Sequence, residues 1–241
     1  MPNARKRNEI RPVKVKRKFT RNSPGSVLYQ CGGTTVLCTA SIDESVPPWM
    51  KGEGKGWMTA EYNMLPHSTS PRKRRDRSGK VDGRTTEIQR LIGRSLRAVA
   101  DLEALGERQL NVDCDVLEAD GGTRTASITG AFIAALDALH SVRRDLPFKD
   151  RFPFKDSVAA VSVGVVGGHP CLDLDYEMDF AAAVDMNVVM TGKGQFVEIQ
   201  GTGEEATFSE DELSSLLRLG RKGIRELIEI QKKSLGKAWP F

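Results

Sequence analysis

The segment 110–139 constrains the fold more than any other part of the chain. From Leu110 to Val116 every second residue is apolar, which predicts a half-buried strand. The strand leads to Gly121-Gly122-Thr123-Arg124, and residues 125–139 then form a run rich in alanine, isoleucine and leucine. A helix that is apolar on all sides is normally buried, so this run predicts a helix enclosed by other elements.

The glycine loop between the predicted strand and helix has the chemistry of an anion site. Glycines let a ligand approach the backbone closely, and a helix N-terminus offers unpaired N–H groups and a partial positive charge. Thr123 adds a hydroxyl donor, and Arg124 adds a permanent charge whose forked geometry suits phosphate. The loop is not a Walker A motif, because no Gly-Lys-Ser/Thr completes it. A second interpretation stays open: a tight turn before a helix, with Arg124 in solvent.

The other sequence patterns predict an α+β fold. β-rich runs around Gly32 and Gly33 predict an antiparallel hairpin, and a capping box of Ser209 and Glu212 marks the start of a last helix. Further elements are expected as strands at 158–166, 184–191 and 195–201 and as an amphipathic helix at 85–102. Strands outnumber helices, and hairpins are mixed with long crossovers, which indicates the α+β class. Residues 43–83 show little periodicity.

Basic residues are concentrated in two regions of a chain with a small net charge. The 36 Lys and Arg against 32 Asp and Glu leave a formal charge of +4, which favours an anionic partner only weakly. The first region is residues 1–22, for which a solvated basic arm is one interpretation. The second comprises Arg72, Arg74, Arg75, Arg77, Arg84 and the helical ridge of Arg90, Arg94 and Arg97. Such a ridge is usually solvated, but beside a basic loop it could follow a phosphate backbone. Aromatic residues make up 6% of the chain, so backbone contacts are expected more than stacking.

Acidic residues form a further candidate site. Asp173, Asp175, Glu177 and Asp179 are two apart. An extended strand would place all four on one face, although ordinary solvent-facing acids have the same pattern. Asp185 lies between alanines, Val184 and Met186, where burial is expected and an unpaired carboxylate is costly. A buried acid near clustered acids indicates a magnesium ligand or a general acid.

The sequence also predicts where the protein works. The basic N-terminal residues lack an apolar segment typical of a secretory signal, and no stretch approaches the length of a membrane span. The four cysteines contain no C-x-x-C pair and are expected as reduced thiols. We therefore expect a cytoplasmic protein without a membrane partner.

Seven blocks, in order along nearly the whole chain, resemble the ribonuclease PH family. They are residues 37–42, 56–66, 83–94, 113–117, 120–130, 185–191 and 198–202. The resemblance implies one domain over 1–241, with two pseudo-duplicated halves at about 10–142 and 157–235. Each half would have the fold shared with the second domain of ribosomal protein S5. The subunits would form a ring, a homohexamer built as a trimer of dimers.

The activity that the resemblance implies is phosphate-dependent 3′→5′ exoribonuclease action. Inorganic phosphate, the co-substrate, would attack the last phosphodiester of a tRNA precursor or another RNA 3′ end and release a nucleoside diphosphate. The reverse reaction would add nucleotides from diphosphates. A catalytically silent ring subunit that only binds RNA is the main alternative, but such subunits typically lose the phosphate-loop arginine or the paired aspartates, which this chain keeps. An unrelated nucleotide-binding enzyme is a remote alternative.

The resemblance also implies roles for individual residues. Arg84, Gly122, Thr123 and Arg124 would bind phosphate. Asp179 and Asp185 would act with Arg124 in catalysis, as Mg²⁺ ligands or by protonating the leaving 3′ oxygen. Arg72, Arg74, Arg75 and Arg90 would contact RNA. The chain departs from the family at Met178, where an acid is usual, at Phe180, where serine is usual, and at Asn63 and His67, where glycine and arginine are common.

Overall fold

The computed structural model describes residues 5–75, 81–203 and 206–241, which form nine strands and five α-helices. The first-half elements are β1 Val13–Arg17, β2 Gly25–Cys31, β3 Thr34–Asp43, β4 Trp57–Met64, α1 Gly83–Ala98, α2 Leu102–Leu105, β5 Gln109–Glu118 and α3 Thr123–Ser141. The remaining elements are β6 Val158–Val166, β7 His169–Leu172, α4 Tyr176–Phe180, β8 Ala182–Thr191, β9 Phe196–Gly203 and α5 Glu210–Leu235.

The first sheet has the strand order β1-β2-β3-β5-β4. Its first four strands pair antiparallel, whereas β4 lies parallel to β5, with Met58 opposite Leu110 and Tyr62 opposite Cys114. The alternation along β5 buries its apolar residues on one face. That face is covered by α3 over the centre of the sheet and by α1 over β4. β5 ends at Glu118 and α3 begins at Thr123, so the glycine loop joins the end of a sheet strand directly to the buried helix.

The second sheet, of order β7-β6-β8-β9, is antiparallel and lies on the other side of α3. Its outer face packs on α5, where Val161 and Val163 meet Leu216 and Ile224. On its inner face Thr129 of α3 donates a hydrogen bond to the Ala160 carbonyl at 3.3 Å. Residues 125–139 are all buried because α3 lies between two sheets, which explains why this helix is apolar on every side.

Three arginines of the N-terminal basic segment form hydrogen bonds with distant parts of the fold. The solvated-arm interpretation is therefore wrong for Arg5, Arg11 and Arg17. Arg17 donates to Asp137 of α3 at 2.9 Å and to the Ser234 carbonyl of α5 at 2.8 Å. Arg11 is 6% exposed and pairs with Asp173. Lysines 14 and 16 on β1 do remain exposed.

Several predicted elements are confirmed. The α+β class, the β2–β3 hairpin, strand β6 at the expected bounds and the Ser209–Glu212 capping box are all present. The segment 43–83 was expected to be irregular, but it contains β4, in which Met58, Ala60 and Tyr62 alternate into the core. The pseudo-duplication of the two halves stays a prediction. Within the described residues, no helix is long and apolar enough to cross a membrane.

Candidate active site

A cleft of about 440 Å³ opens where the first and second sheets approach the start of α3. Six of its lining residues are those that the family resemblance assigned to phosphate binding and catalysis: Arg84, Gly122, Thr123, Arg124, Asp179 and Asp185. They come from α1, the loop after β5, α3, α4 and β8. The fold therefore brings five separate elements to one cavity, with cationic groups on α1 and α3 and carboxylates on α4 and β8.

The glycine loop adopts a conformation that only glycine takes easily. Gly121 and Gly122 have φ angles of +72° and +65°, and a Cβ at Gly121 would lie 2.6 Å from the Leu174 carbonyl oxygen. Gly122 is the N-cap of α3, and no side chain of the described residues caps this helix. The first N–H groups of α3 therefore begin at the cleft without a side-chain acceptor, as an anion site requires.

The loop is held from the protein side by two buried groups. Arg11 donates to the Asp120 carbonyl, and its second nitrogen lies 3.4 Å from the Gly121 carbonyl. Thr34 donates to that same Gly121 carbonyl at 2.6 Å. The loop carbonyls are thus bound away from the cleft, which fixes the backbone that leads into α3.

Arg11 is itself fixed by Asp173, a residue with a φ of +56° that is 3% exposed. The Arg11 guanidinium donates to both Asp173 oxygens at 2.8 and 3.0 Å, and the Arg11 backbone N–H donates at 2.7 Å. Burial would raise the pKa of Asp173, but the hydrogen bonds and charge of Arg11 outweigh it and hold this pKa below its ordinary value. A buried, ionised pair therefore supports the glycine loop from the protein interior.

Thr123 is oriented by a buried tyrosine. The Tyr62 hydroxyl donates to Thr123 Oγ1 at 2.9 Å. Burial raises the pKa of Tyr62, so the phenol keeps its proton. Because Thr123 accepts from Tyr62, its own hydroxyl hydrogen is available to an anion in the cleft.

Arg124 is not in solvent, so the tight-turn interpretation is wrong for this residue. Its side chain is 16% exposed and lies 3.4 Å from Glu87 of α1. It also donates to Gln200 of β9 at 2.7 Å. Sequence reasoning missed Glu87 and Gln200 as site residues, although both fall in blocks that carry the resemblance. Their separation of 113 residues gives no sequence signal of contact.

The acidic stretch is not the extended strand that its spacing predicted. β7 ends at Leu172, Asp175 becomes the N-cap of α4 by accepting from the Met178 N–H at 2.9 Å, and Asp179 lies within α4. Asp185 is half-buried on β8 rather than enclosed, opposite Gly164 of β6. Asp179 and Asp185 nevertheless line the same cleft, because α4 and β8 are joined by one short connection.

A cation in this cleft would rely on few protein ligands. The described ranges contain no cluster of three or more His, Cys, Asp or Glu side chains arranged for a metal ion. Two carboxylates beside the glycine loop do fit Mg²⁺, which keeps several waters and takes one or two carboxylates plus phosphate oxygens of a substrate.

The arginines predicted to contact RNA differ in their surroundings. Arg72, Arg74 and Arg75 are exposed, and Arg75 lines a depression of about 130 Å³ that shares Met64 with the main cleft. Arg77 lies outside the described residues.

The helical ridge is not a uniform cationic face. Arg90 is exposed, and Arg94 is paired with Glu198 at 2.9 Å. Arg97 is half-buried, donates to the Met58 carbonyl at 2.8 Å and lies over Trp57 at 4.5 Å. The interpretation of one solvated or RNA-following ridge is therefore wrong for Arg97, whose contacts hold α1 against β4.

Comparison with known proteins connects this cleft to a family. Residues 9–139 match the model of the 3′ exoribonuclease family, domain 1, and residues 156–223 match domain 2. Ribonuclease PH from Rhodopirellula baltica is 64% identical over 236 residues, covering 96% of both chains. Ribonuclease PH from Listeria innocua is 59% identical over 234 residues, covering 96% of this chain and 94% of the relative.

Solved structures share the fold at low sequence identity. Rice Rrp46 superposes with a TM-score of 0.76 at 19% identity, covering 96% of this chain and 98% of the other. A subunit of the Archaeoglobus fulgidus exosome with RNA bound to the active site superposes with a TM-score of 0.77 at 23% identity, covering 94% and 90%.

Proposed function

Because this chain belongs to the 3′ exoribonuclease family that includes ribonuclease PH, we propose that its cleft is the site where inorganic phosphate attacks the 3′ end of RNA. An oxygen of inorganic phosphate forms a bond to the phosphorus of the last phosphodiester. The bond between that phosphorus and the O3′ of the preceding nucleotide breaks. The last nucleotide leaves as a nucleoside diphosphate, and O3′ gains a proton. The convergence of six predicted residues on one cleft is the observation that carries this proposal.

The attacking phosphate is held on the cationic side. Arg84 and Arg124 supply positive charge, Thr123 supplies a hydroxyl donor, and Gly122 lets the ion approach the N–H groups at the start of α3. Thr123 and Arg124 are held by protein contacts before the substrate arrives, so they align phosphate with little reorganisation at the moment of attack. Gln200 and Glu87 keep Arg124 in place.

The carboxylates act at the other end of the transferred phosphorus. Asp179 and Asp185 either hold Mg²⁺ or deliver the proton that O3′ needs. Mg²⁺ held by these carboxylates would offset the negative charge of the reacting phosphate groups. Both roles require carboxylates within reach of the leaving oxygen, and both residues line the same cleft as Arg124.

Membership of the family also leads us to expect a class of RNA substrate and a ring-shaped assembly. We expect tRNA precursors and other RNA 3′ ends as substrates, trimming in the forward direction and nucleotide addition in reverse. Arg72, Arg74, Arg75 and Arg90 are expected to contact the RNA backbone. A homohexameric ring, a trimer of dimers, and a cytoplasmic location stay predictions.

A phosphate-dependence assay tests the proposal. The protein is incubated with RNA that ends in an unpaired 3′ tail, with and without phosphate, and released nucleotides are separated by chromatography. Nucleoside diphosphates that form only with phosphate support the proposal. Release of monophosphates without phosphate would contradict it, and RNA binding without any release would favour the silent ring subunit. Arg124→Ala should abolish release, whereas Arg218→Ala, an exposed arginine on α5 that hydrogen-bonds Ser215, should not.

A further inference from the structure

Two aromatic side chains project from α4 at the side of the cleft. Tyr176 is 61% exposed, and Phe180, at 83%, is the most exposed large hydrophobic side chain of the described residues. A ring left in water forgoes the free energy of burial, so two adjacent exposed rings indicate a binding surface. The family resemblance implies a serine at position 180, where this chain has an exposed ring instead.

The two rings form one surface. They are four residues apart and therefore share a face of the single turn of α4. Their centroids are 6.4 Å apart, and their planes differ by 27°. Two nearly parallel faces of this kind are the platform on which proteins stack successive bases of a single strand.

The opposite side of α4 is anchored, which leaves the rings facing outward. The Arg5 guanidinium lies 3.3 Å from the Met178 sulfur and 3.8 Å from the Asp175 carboxylate. Asp175 caps α4, and the Tyr176 N–H donates to Asp120 of the phosphate loop at 3.3 Å. Met178, the other departure from the family pattern, is thus half-buried on the Arg5 side rather than part of the cleft. The platform is held in place before any ligand binds.

The platform continues the cleft. Tyr176 lines the cavity together with Asp179 and Asp185, and Phe180 lies one turn further along α4. An RNA whose last phosphodiester lies at these aspartates would bring its preceding bases to α4. We propose that Tyr176 and Phe180 form a stacking subsite for the unpaired bases next to the RNA 3′ end. The inference rests on the proposed function for the direction from which RNA enters.

The charge on α4 favours bases over the other occupants of an apolar surface. Glu177 is exposed on this helix and does not line the cleft, so beside the rings it disfavours RNA phosphate groups but not uncharged base faces. A surface buried against a second copy of this chain would be expected to exclude such charges from its centre. An unpaired RNA 3′ end, which offers bare base faces, matches both the rings and the charges.

Binding of a fluorescent RNA with an unpaired adenosine tail, measured by anisotropy without phosphate, tests the subsite. Phe180→Ser should weaken binding about 5- to 100-fold, since stacking one base on an aromatic ring has that effect. Phe180→Tyr, which keeps a flat ring, should stay within about twofold of the wild type. Phe148→Ser removes an exposed phenylalanine from the segment between α3 and β6 and should leave RNA binding unchanged.

RNAs with one abasic position near the 3′ end show whether a loss of binding comes from lost base stacking or from a destabilised protein. For the wild type, one abasic position should weaken binding by the factor seen with Phe180→Ser, and for that variant the same abasic RNA should cause little further loss. Unchanged binding by Phe180→Ser would overturn the inference. Conversion of the variant to smaller oligomers, seen by light scattering, would also overturn it by making the rings a contact between copies. Because binding is measured without phosphate, a failure of phosphorolysis leaves this test intact.

Discussion

The cationic and acidic sides of the cleft are built in different ways. The cationic side rests on a loop between a strand and a buried helix, with Arg11, Thr34 and Tyr62 fixing it from behind. The acidic side rests on α4, a single turn, and on the half-buried start of β8. The proposed phosphate site therefore rests mainly on buried contacts, whereas the carboxylates lie on a more exposed element. Substitutions on the two sides should consequently change different kinetic constants.

The largest effect is expected on the acidic side. Asp185→Asn removes a charge and a proton site while keeping the shape of the side chain. We expect kcat to fall about 100- to 10,000-fold, the usual contribution of a positioned acid or base, with a small change in KM for phosphate. Initial rates of diphosphate release at varied phosphate give both constants. A large rise in KM with an unchanged kcat would assign Asp185 to phosphate binding instead.

The next effect is on stability beneath the cationic side. Arg11→Met removes the guanidinium that hydrogen-bonds both oxygens of buried Asp173 and leaves Arg5, at 3.7 Å, as the remaining cation, which should cost about 3–5 kcal/mol of unfolding free energy. Restoring neutrality in Arg11→Met/Asp173→Asn should recover part of that loss. Denaturant unfolding measures both variants, and Arg218→Ala serves as the control. An Arg11→Met variant as stable as the wild type would show that the pair does not support the loop.

The same pair has a defined pH dependence. The pKa of Asp173 is lowered by folding, so its contribution is complete above the unfolded value of about 3.9 and is lost as pH falls through the folded value. In Arg11→Met, burial without Arg11 favours the protonated acid. The stability gap between wild type and variant should therefore be largest near neutral pH, begin to shrink as pH falls towards about 4, and shrink further below it. A gap that stays constant down to pH 3 would contradict this assignment.

A smaller effect is expected where Arg124 is positioned. Gln200→Ala removes the oxygen that accepts from Arg124 at 2.7 Å without changing charge. KM for phosphate should rise about tenfold with kcat nearly unchanged, because a hydrogen bond to a charged group is lost. Gln195→Ala, an exposed glutamine before β9, is the matched control. A fall in kcat alone would mean that Gln200 acts on the reaction step rather than on phosphate binding.

The smallest effect is expected at Tyr62. Tyr62→Phe keeps the buried ring and removes only the hydroxyl that donates to Thr123. We expect KM for phosphate to rise about threefold and the unfolding free energy to fall by about 1 kcal/mol. Phosphate titrations and thermal unfolding check the two values. An unchanged KM would remove the role assigned here to Tyr62.

The sequence could predict what is local. The strand, glycine loop and helix from 110 to 139 are encoded by adjacent residues, so their order and the anion site at their junction follow from the pattern. The family blocks added Arg84, Asp179 and Asp185, and all three line the cleft.

Local sequence patterns could not predict the structure of segments whose conformation depends on contacts with residues far away in the chain. The acids from Asp173 to Asp179 alternate like a strand, but capping by Asp175 and the buried pair with Arg11 turn them into a bend and a helical turn. The partners of Arg11 and Arg17 lie more than 100 residues away, so a basic segment that resembled a solvated arm became part of the interior. β4 was missed although Met58, Ala60, Tyr62 and Met64 alternate along it, because the segments on either side are rich in glycine and proline.

The fate of the co-substrate's phosphorus atom distinguishes phosphorolysis from hydrolysis. Radiolabelled inorganic phosphate is incubated with unlabelled RNA and the protein, and the released nucleotides are separated. If the cleft performs phosphorolysis, the label appears as the terminal phosphate of nucleoside diphosphates, and Arg124→Ala loses this signal. Unlabelled nucleotides released by the wild type, or full labelling by Arg124→Ala, would contradict the account.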